Sequence, residues 1–389
     1  MRDKINPPNI VLHGAFGNRN IGDDAILLSV VDGLQSSVPE GRIRVLSENP
    51  AQTSGLTGLS SLRGGLKRPL SFLPNIICAN QADLYVFGGG GILGDELRSL
   101  MLGLLLRAKI VRHHGGRSMI YAVGVDPIHR PQNTRLIQSI AGCVDIITVR
   151  DEVSKGFLVE AGVDPARVEV TADPALALQP VDEASTDLLL RSEGVTPEGR
   201  PLVGISLTFN ISEQEQDMLA TAADFLVDQH KAAVLFIPFE RHNDLPTATA
   251  VSRKMRNESL VLSGEYGPRE MKGIVSSLDM LIGMRYHSIV FAAGNCVPVV
   301  AISFSPKTNS MMERLGLEDR VLYTGWMARH TGTQEYTLDD LVKVIDNTWR
   351  DRESVSGSIS ARLPNLMALA ERSALLASSL LLGSSEAPT

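Results

Sequence analysis

Hydrophobic and polar positions follow two alternating patterns along this chain. Short runs rich in valine, isoleucine and leucine are each followed by a longer stretch in which apolar residues recur every three or four positions. The first pattern predicts buried strands, the second amphipathic helices. In the first part, NIVLHG, RIRVLSEN, ADLYVFGGGG, SMIYAVGV, DIITVRD and VEVTADPAL are the strand candidates. In the second part they are PLVGISLTF, AAVLFIPF, ESLVLSG, DMLIGM and VPVVAISF. Repeated strand–helix alternation predicts parallel sheets covered on both faces by helices, an α/β fold.

The alternation breaks once. The stretch from Gln179 to Arg200 is polar, carries prolines near both ends, and reads as a connection between domains. The expected organisation is a Rossmann-like, doubly wound domain over residues 1–180 and a connecting segment over 181–200. A second Rossmann-like domain over 201–350 follows, then a C-terminal helix and tail over 351–389, the helix packing back across the domains. A chain of 389 residues exceeds one ordinary core, which agrees with two. Two such domains imply a cleft between them, with ligands outside the carboxyl ends of the strands.

Composition narrows the function. The chain is 43% hydrophobic and 21% charged, as for a soluble globular protein. Its net charge is −7 and it has no lysine/arginine run, so no nucleic-acid partner is expected. A small anion can still be held by a few local cations. The three cysteines, Cys78, Cys143 and Cys296, form no CxxC pair and read as small core residues in a reducing compartment. The N-terminal MRDKINPPNIVLHG lacks the apolar core of a signal peptide. The most apolar stretch, SLMLGLLLRAKIV, is short and carries Arg107 and Lys109, so a buried helix is expected there, not a membrane span.

Four places can carry chemistry. In DMLIGMRYHSIVFAAGNCVPVVAISFSPK, Arg285 and His287 fall between a strand end and the first turn of a helix. A helix N-terminus with an arginine suits a phosphate or carboxylate. A histidine there can move a proton near neutral pH. Lys307 follows the next strand and can face the same mouth. The alternative is structural: Arg285 in an ion pair and His287 as a cap.

In LHGAFGNRNIGDDAILLSVVDGL, Gly14, Gly17 and Gly22 permit close approach to backbone. Asp23 and Asp24 are candidates for a helix cap or for accepting a proton from a ligand hydroxyl. VFGGGGILGDE repeats this logic with Gly89 and Gly90, where either a ligand or a packed helix approaches the backbone. Arg150, in TVRDE, either binds an anion or pairs with Asp151 or with Asp173 of TADPAL. There is no GxxxxGK[ST], HExxH or GxSxG motif.

These motifs together resemble the polysaccharide pyruvyl transferase family. GAFGNRNIGDDAIL, VFGGGGILGDE, DIITVRDEVSKGFL, TADPAL and GMRYHSIVFAAGNCVPVVAISFSPK occur in the family's order, over roughly residues 10 to 320. The resemblance implies two Rossmann-like domains in a glycosyltransferase-B-like arrangement. It also implies transfer of pyruvate from phosphoenolpyruvate to two hydroxyls of a sugar in a polysaccharide or glycan precursor, closing a cyclic ketal.

By the same resemblance, Arg285 contacts the donor's phosphate or carboxylate, and His287 is the acid or a phosphate contact. Lys307 and Arg150 are further anion contacts. Asp23 is the base for the sugar hydroxyl, in an acceptor loop with Gly17, Asn20, Gly22, Gly89 and Gly90, which leaves Asp24 the helix cap. No metal or redox cofactor is implied, and the acceptor is a sugar or lipid-linked glycan. The setting is cytoplasmic, compatible with transient contact at the inner membrane face. After the first strand of the second domain, Thr208-Phe209-Asn210 holds no arginine where the family pattern places one. The alternatives are a nucleotide-sugar glycosyltransferase on the same scaffold and a non-catalytic protein of glycan assembly.

Overall fold

The computed structural model describes residues 7–64, 72–196 and 199–382. The chain divides into two compact units: unit 1 is residues 1–178 with 366–389, and unit 2 is residues 179–365.

Unit 1 runs β1 (Asn9–His13), α1 (Ile21–Ser37), β2 (Arg42–Ser47), α2 (Pro50–Thr57), β3 (Ser60–Arg63), α3 (Phe72–Gln81), β4 (Leu84–Gly88) and β5 (Gly91–Leu93). It continues through α4 (Arg98–His113), β6 (Arg117–Val125), α5 (Pro131–Ala141), β7 (Ile146–Val149), α6 (Glu152–Glu160) and β8 (Val168–Val170). The parallel sheet is ordered β3-β2-β1-β4-β6-β7-β8, with β5 pairing β6 beside that path. Tyr85, Phe87, Met101, Leu104 and Ile120 belong to the core under α4.

Unit 2 runs α7 (Glu183–Ser192), β9 (Leu202–Ser206), α8 (Glu213–His230), β10 (Ala233–Phe236), α9 (Arg241–Lys254), β11 (Leu260–Val261) and α10 (Pro268–Ser276). Then come β12 (Met280–Gly283), α11 (Tyr286–Gly294), β13 (Val299–Ser303), α12 (Pro306–Leu315), β14 (Val321–Tyr323), α13 (Gly325–Thr331) and α14 (Leu338–Arg350). Its parallel sheet is ordered β11-β10-β9-β12-β13-β14. β9, β12 and β13 are buried at every position, which is why they read as unbroken apolar runs.

In both sheets the first strand lies at the centre, the next two extend to one side, and the fourth returns to the other side. This doubly wound order places a switch point between β1 and β4 in unit 1 and between β9 and β12 in unit 2. The short strands β3, β5 and β14 were absent from the sequence reading, because three or four residues are too few to show a period.

Helix α15 (Arg352–Leu382) belongs to both units, residues 352–365 to unit 2 and the rest to unit 1, with Pro364 inside it near the changeover. In unit 2, Val355 and Ile359 are buried and the Ser356 hydroxyl donates to Cys296 O at 2.8 Å. In unit 1, Leu366, Ala370, Ala374 and Ala377 form the buried stripe. A Cβ on Gly33 of α1 would stand 3.0 Å from the Ala374 methyl, so the two helices touch through small residues. The Ser373 hydroxyl lies 3.0 Å from Thr148 Oγ1 and 3.2 Å from Thr171 Oγ1. Among the described residues, α15 is the helix long and apolar enough to cross a membrane, by length and composition alone.

Two local expectations change. Residues 181–200 are not a plain connector. Asp182 caps α7 by accepting from the Ser185 N–H, and α7 packs in unit 2, where a Cβ on Gly273 of α10 would meet Thr186. The stretch reads as polar because α7 buries only Thr186 and Leu190. Helix α4 is not buried all round either: Leu102 and Leu106 are 46% and 38% exposed. Met101, Leu104, Ala108 and Val111 already fill the inward face, so the additional leucines have no core left to enter.

Candidate functional site

The donor candidates meet at the carboxyl edge of the unit 2 sheet, beside its switch point. β12 ends at Gly283, and Arg285 takes the extended N-cap position of α11, with φ −75° and ψ 127° and no side-chain cap. His287 is in the first turn. Its ring centroid lies 5.2 Å from that of Tyr286, and Lys307 Nζ lies 5.8 Å from the same ring on the α12 side. The structure therefore brings His287 and Lys307 against the ring of one buried tyrosine.

Arg285 is engaged in ion pairs at the start of α9. Its Nε donates to Asp244 Oδ2 at 3.0 Å, and its Nη2 donates to Asp244 Oδ1 at 2.5 Å and to Glu240 Oε2 at 2.9 Å. Asp244 is fully buried in the first turn of α9, where it also accepts from the Glu240 N–H. Burial raises the Asp244 carboxyl above its ordinary value, opposed by the Arg285 guanidinium. Phe209, in the segment after β9 that lacks an arginine, stands 5.5 Å from the Arg285 guanidinium. The geometry thus gives Arg285 the ion pair that was its alternative reading. It ties the loops after β9, β10 and β12 together.

The N-terminus of α12 supplies what sequence reasoning missed. Ser305 is its N-cap, yet its side chain caps nothing, and Lys307 and Thr308 follow in the first turn. The Ser305 and Thr308 hydroxyls are both buried without a hydrogen-bond partner, and Thr308 is 1% exposed. Side chains of a helix tilt toward its N-terminus, so the Thr308 hydroxyl lies over the first turn. Two unsatisfied hydroxyls and an ammonium at a helix start are a donor set for a phosphate or carboxylate. The signal in the sequence was the SFSPKT stretch, with serine before proline at a helix start.

The acceptor candidates gather at the carboxyl ends of β1 and β4 in unit 1. Helix α1 begins at Ile21. Asn20, extended at φ −99° and ψ 114°, accepts from Gly22 N–H at 2.9 Å and Asp23 N–H at 3.2 Å. The cap expected of Asp24 therefore falls to Asn20, because Asp24 lies a full turn inside. Asp24 is 7% exposed and accepts from Gln52 Nε2 at 3.2 Å and from the Gly17 N–H. Burial pushes its carboxyl up to about 6.

Asp23 is half-buried, against the second glycine loop. Gly90 has φ +81°, and a Cβ there would be 2.7 Å from Asp23 Oδ1. Gly17 is also left-handed, at φ +81°, and a Cβ on it would collide with Ser47. Gly89 backs onto Ile26 of α1. The glycine loops are thus pressed against α1 and β2, and Gly91 alone of the four glycines is open to solvent.

Arg150 lies in the interior of unit 1. It is 2% exposed, with Nη1 3.0 Å from Asp173 Oδ2 and Nε 3.5 Å from Asp151 Oδ2. A Cβ on Gly124 would stand 2.6 Å from its Nη2, so only glycine in β6 leaves it room. It is the structural pair between the ends of β7 and β8 that the sequence left open.

The architecture and this placement of motifs define a class: a two-unit α/β protein with parallel sheets, of the glycosyltransferase-B type. Solved proteins share the fold. A glycosyltransferase from Rickettsia africae matches at TM-score 0.65 and 12% identity, over 97% of this chain and 100% of its own. UDP-GlcNAc 2-epimerase from Neisseria meningitidis, bound to UDP-GlcNAc, matches at TM-score 0.66 and 8% identity, over 97% and 100%. Within that class the chain belongs to the polysaccharide pyruvyl transferase family, whose profile matches residues 20–306. The amylovoran biosynthesis protein AmsJ of Erwinia amylovora is 20% identical over 366 residues, 80% of this chain and 86% of AmsJ. The chain is therefore an enzyme of polysaccharide pyruvylation at the level of its family.

Proposed function

We propose that this enzyme transfers pyruvate from phosphoenolpyruvate to two hydroxyls of a sugar in a glycan precursor, releasing phosphate and closing a cyclic ketal. The observation that carries the donor assignment is the α12 N-terminus. Buried hydroxyls of Ser305 and Thr308 lack protein partners beside Lys307, which shares the Tyr286 ring with His287. An anion with several acceptor oxygens satisfies both hydroxyls at once, beside the Lys307 ammonium.

In this mechanism His287 delivers a proton to the methylene carbon of phosphoenolpyruvate, and C2 becomes electrophilic. One sugar hydroxyl forms a bond to C2 and gives up its proton. The second hydroxyl then bonds to C2 as the C2–O bond to phosphate breaks, and its proton leaves with the phosphate or to a base. Lys307, Ser305 and Thr308 hold the phosphate as its charge grows. Arg285 positions the α11 N-terminus through Asp244 and Glu240. Asp23 is assigned as the base for an acceptor hydroxyl in the glycine loops of unit 1. No metal or redox cofactor enters this scheme. The work belongs on the cytoplasmic side of the membrane, where phosphoenolpyruvate is made.

The test is phosphate release from phosphoenolpyruvate over a panel of glycan acceptors. Release is expected only with a suitable acceptor. His287→Ala should lower kcat by about 10²- to 10⁴-fold. Ser305→Ala with Thr308→Val should chiefly raise the KM for phosphoenolpyruvate. Near-normal turnover in His287→Ala removes the assigned acid. Tight binding of UDP without turnover of phosphoenolpyruvate replaces the scheme with nucleotide-sugar chemistry.

A further inference from the structure

Three neighbouring helices of unit 1 contain no carboxylate. Helix α4 packs between α3 and α5. Their sequences, FLPNIICANQ, RSLMLGLLLRAKIVRH and PQNTRLIQSIA, hold not one aspartate or glutamate, and outside the buried Arg107 they carry Arg98, Lys109, Arg112 and Arg135. The chain as a whole carries −7. This face is therefore cationic on a protein that is acidic overall.

The same face exposes large apolar side chains. Leu102 and Leu106 on α4 are 46% and 38% exposed, and Ile77 on α3 is 50% exposed. Leu102, Leu106, Lys109 and His113 recur at i, i+4, i+7 and i+11, so they share one outward stripe with leucines first and a lysine and a histidine at its end. Beyond Lys109 the stripe reaches a cavity of about 490 Å³ whose lining includes Arg112, Arg117 and Arg167. Asp145 is the one carboxylate among its described lining residues, and Arg117 Nη1 is 2.9 Å from it. Scattered exposed leucines are ordinary, but leucines aligned with a lysine beside an arginine-lined cavity are not.

We propose that the outward stripe of α4, with Ile77 of α3 and the cavity of Arg112, Arg117 and Arg167, docks unit 1 on a bilayer surface rich in anionic phospholipid. The leucines enter the acyl boundary, the cations meet the headgroups, and the cavity takes a lipid phosphate. The charge pattern selects this occupant. A second copy of an acidic chain would bring no matching anionic, apolar surface of its own to a two-fold contact at this face, because the face would meet itself, cations against cations. The proposal does not depend on which donor the enzyme uses.

The experiment is sedimentation of the full-length protein with vesicles of phosphatidylcholine containing phosphatidylglycerol, and with phosphatidylcholine alone. Binding is expected to the anionic vesicles only, and to weaken as salt is raised. Lys109→Glu with Arg112→Glu should weaken it by roughly fivefold or more per cation. Leu102→Ser with Leu106→Ser should weaken it about tenfold. Leu188→Ser, an exposed leucine of α7, should leave it unchanged. Circular dichroism melting confirms that each variant is folded. A wild type that stays in the supernatant with anionic vesicles overturns the proposal, as does binding indifferent to both α4 variants. Concentration-dependent dimerisation in sedimentation velocity, abolished by the leucine variant in a protein that ignores vesicles, assigns the face to a second copy instead.

Discussion

The carboxylates of this protein have distinct tasks set by their surroundings. Asp23 and Asp24 are adjacent in sequence, but α1 turns Asp23 toward Gly90 and Asp24 toward Gly17 and Gln52. Asp24 is held at about 6 against an ordinary 3.8, so its folded-state value lies above its unfolded one. Its favourable linkage is fully present below about pH 4 and is lost as pH rises through about 6. The shift of about two units corresponds to about 3 kcal/mol. Asp24→Asn should therefore unfold at higher urea concentration than the wild type at pH near 7.5, with the gap closing toward pH 4. An equal gap at both ends refutes the raised ionisation.

Among the single residues, the ones legible in the sequence were those whose role is local. A glycine after a strand and a histidine in a first turn announce themselves within a few positions, whereas the α1 cap was expected of Asp24 rather than Asn20 and Ser305 went unread. The partners of charged groups did not. Arg285 is paired with Asp244, 41 positions away, and Arg150 with Asp173, 23 positions away. Sequence could offer each arginine an anionic ligand or an ion pair. Only the fold, which buries Asp244 and Asp173 completely, shows what the guanidinium groups neutralise.

Among the elements, periodicity located nearly every strand and helix, because buried parallel strands and amphipathic helices differ plainly in pattern. It failed at β3, β5 and β14, which are too short, and at α2, α3 and α7, of which α2 buries only Thr53 and α7 only Thr186 and Leu190. It also described α4 as buried, since a helix with more leucines than its core can accept looks the same in sequence as one fully enclosed. Helix α15 shows the converse. Its small residues look weakly apolar, yet Ala374 is the contact that lets α1 approach through Gly33. Ala374→Leu should overpack that contact and cost about 1–3 kcal/mol. The checking measurement is a lowered melting temperature, and an unchanged one places α15 elsewhere.

For the chain as a whole, the two units differ in how they are assembled. Unit 2 is one continuous stretch, whereas unit 1 needs residues from both ends of the chain. A fragment of residues 179–365 should therefore fold alone, with cooperative thermal unfolding. A fragment of residues 1–178 lacks the stripe of Leu366, Ala370, Ala374 and Ala377. It should bind a hydrophobic dye and melt lower, and recover when a peptide of residues 366–382 is added. Cooperative folding of residues 1–178 without that peptide, at full stability, contradicts the division.

The sequence by itself determined the α/β class, the presence of two domains, the glycine loops and the ordered motifs of the family. Each of these is written in neighbouring residues or in their period. The tertiary structure alone decided which strands adjoin, so that the motifs after β1 and β4 meet in one unit and those after β12 and β13 in the other. It also decided that Arg285 and Arg150 serve the protein's own carboxylates, that Ser305 and Thr308 are left unsatisfied, and that Leu102 and Leu106 face outward. Those outcomes depend on burial and on contacts between distant segments. Local propensity carries no record of either, since the same side chain is satisfied, stranded or exposed according to what folds against it.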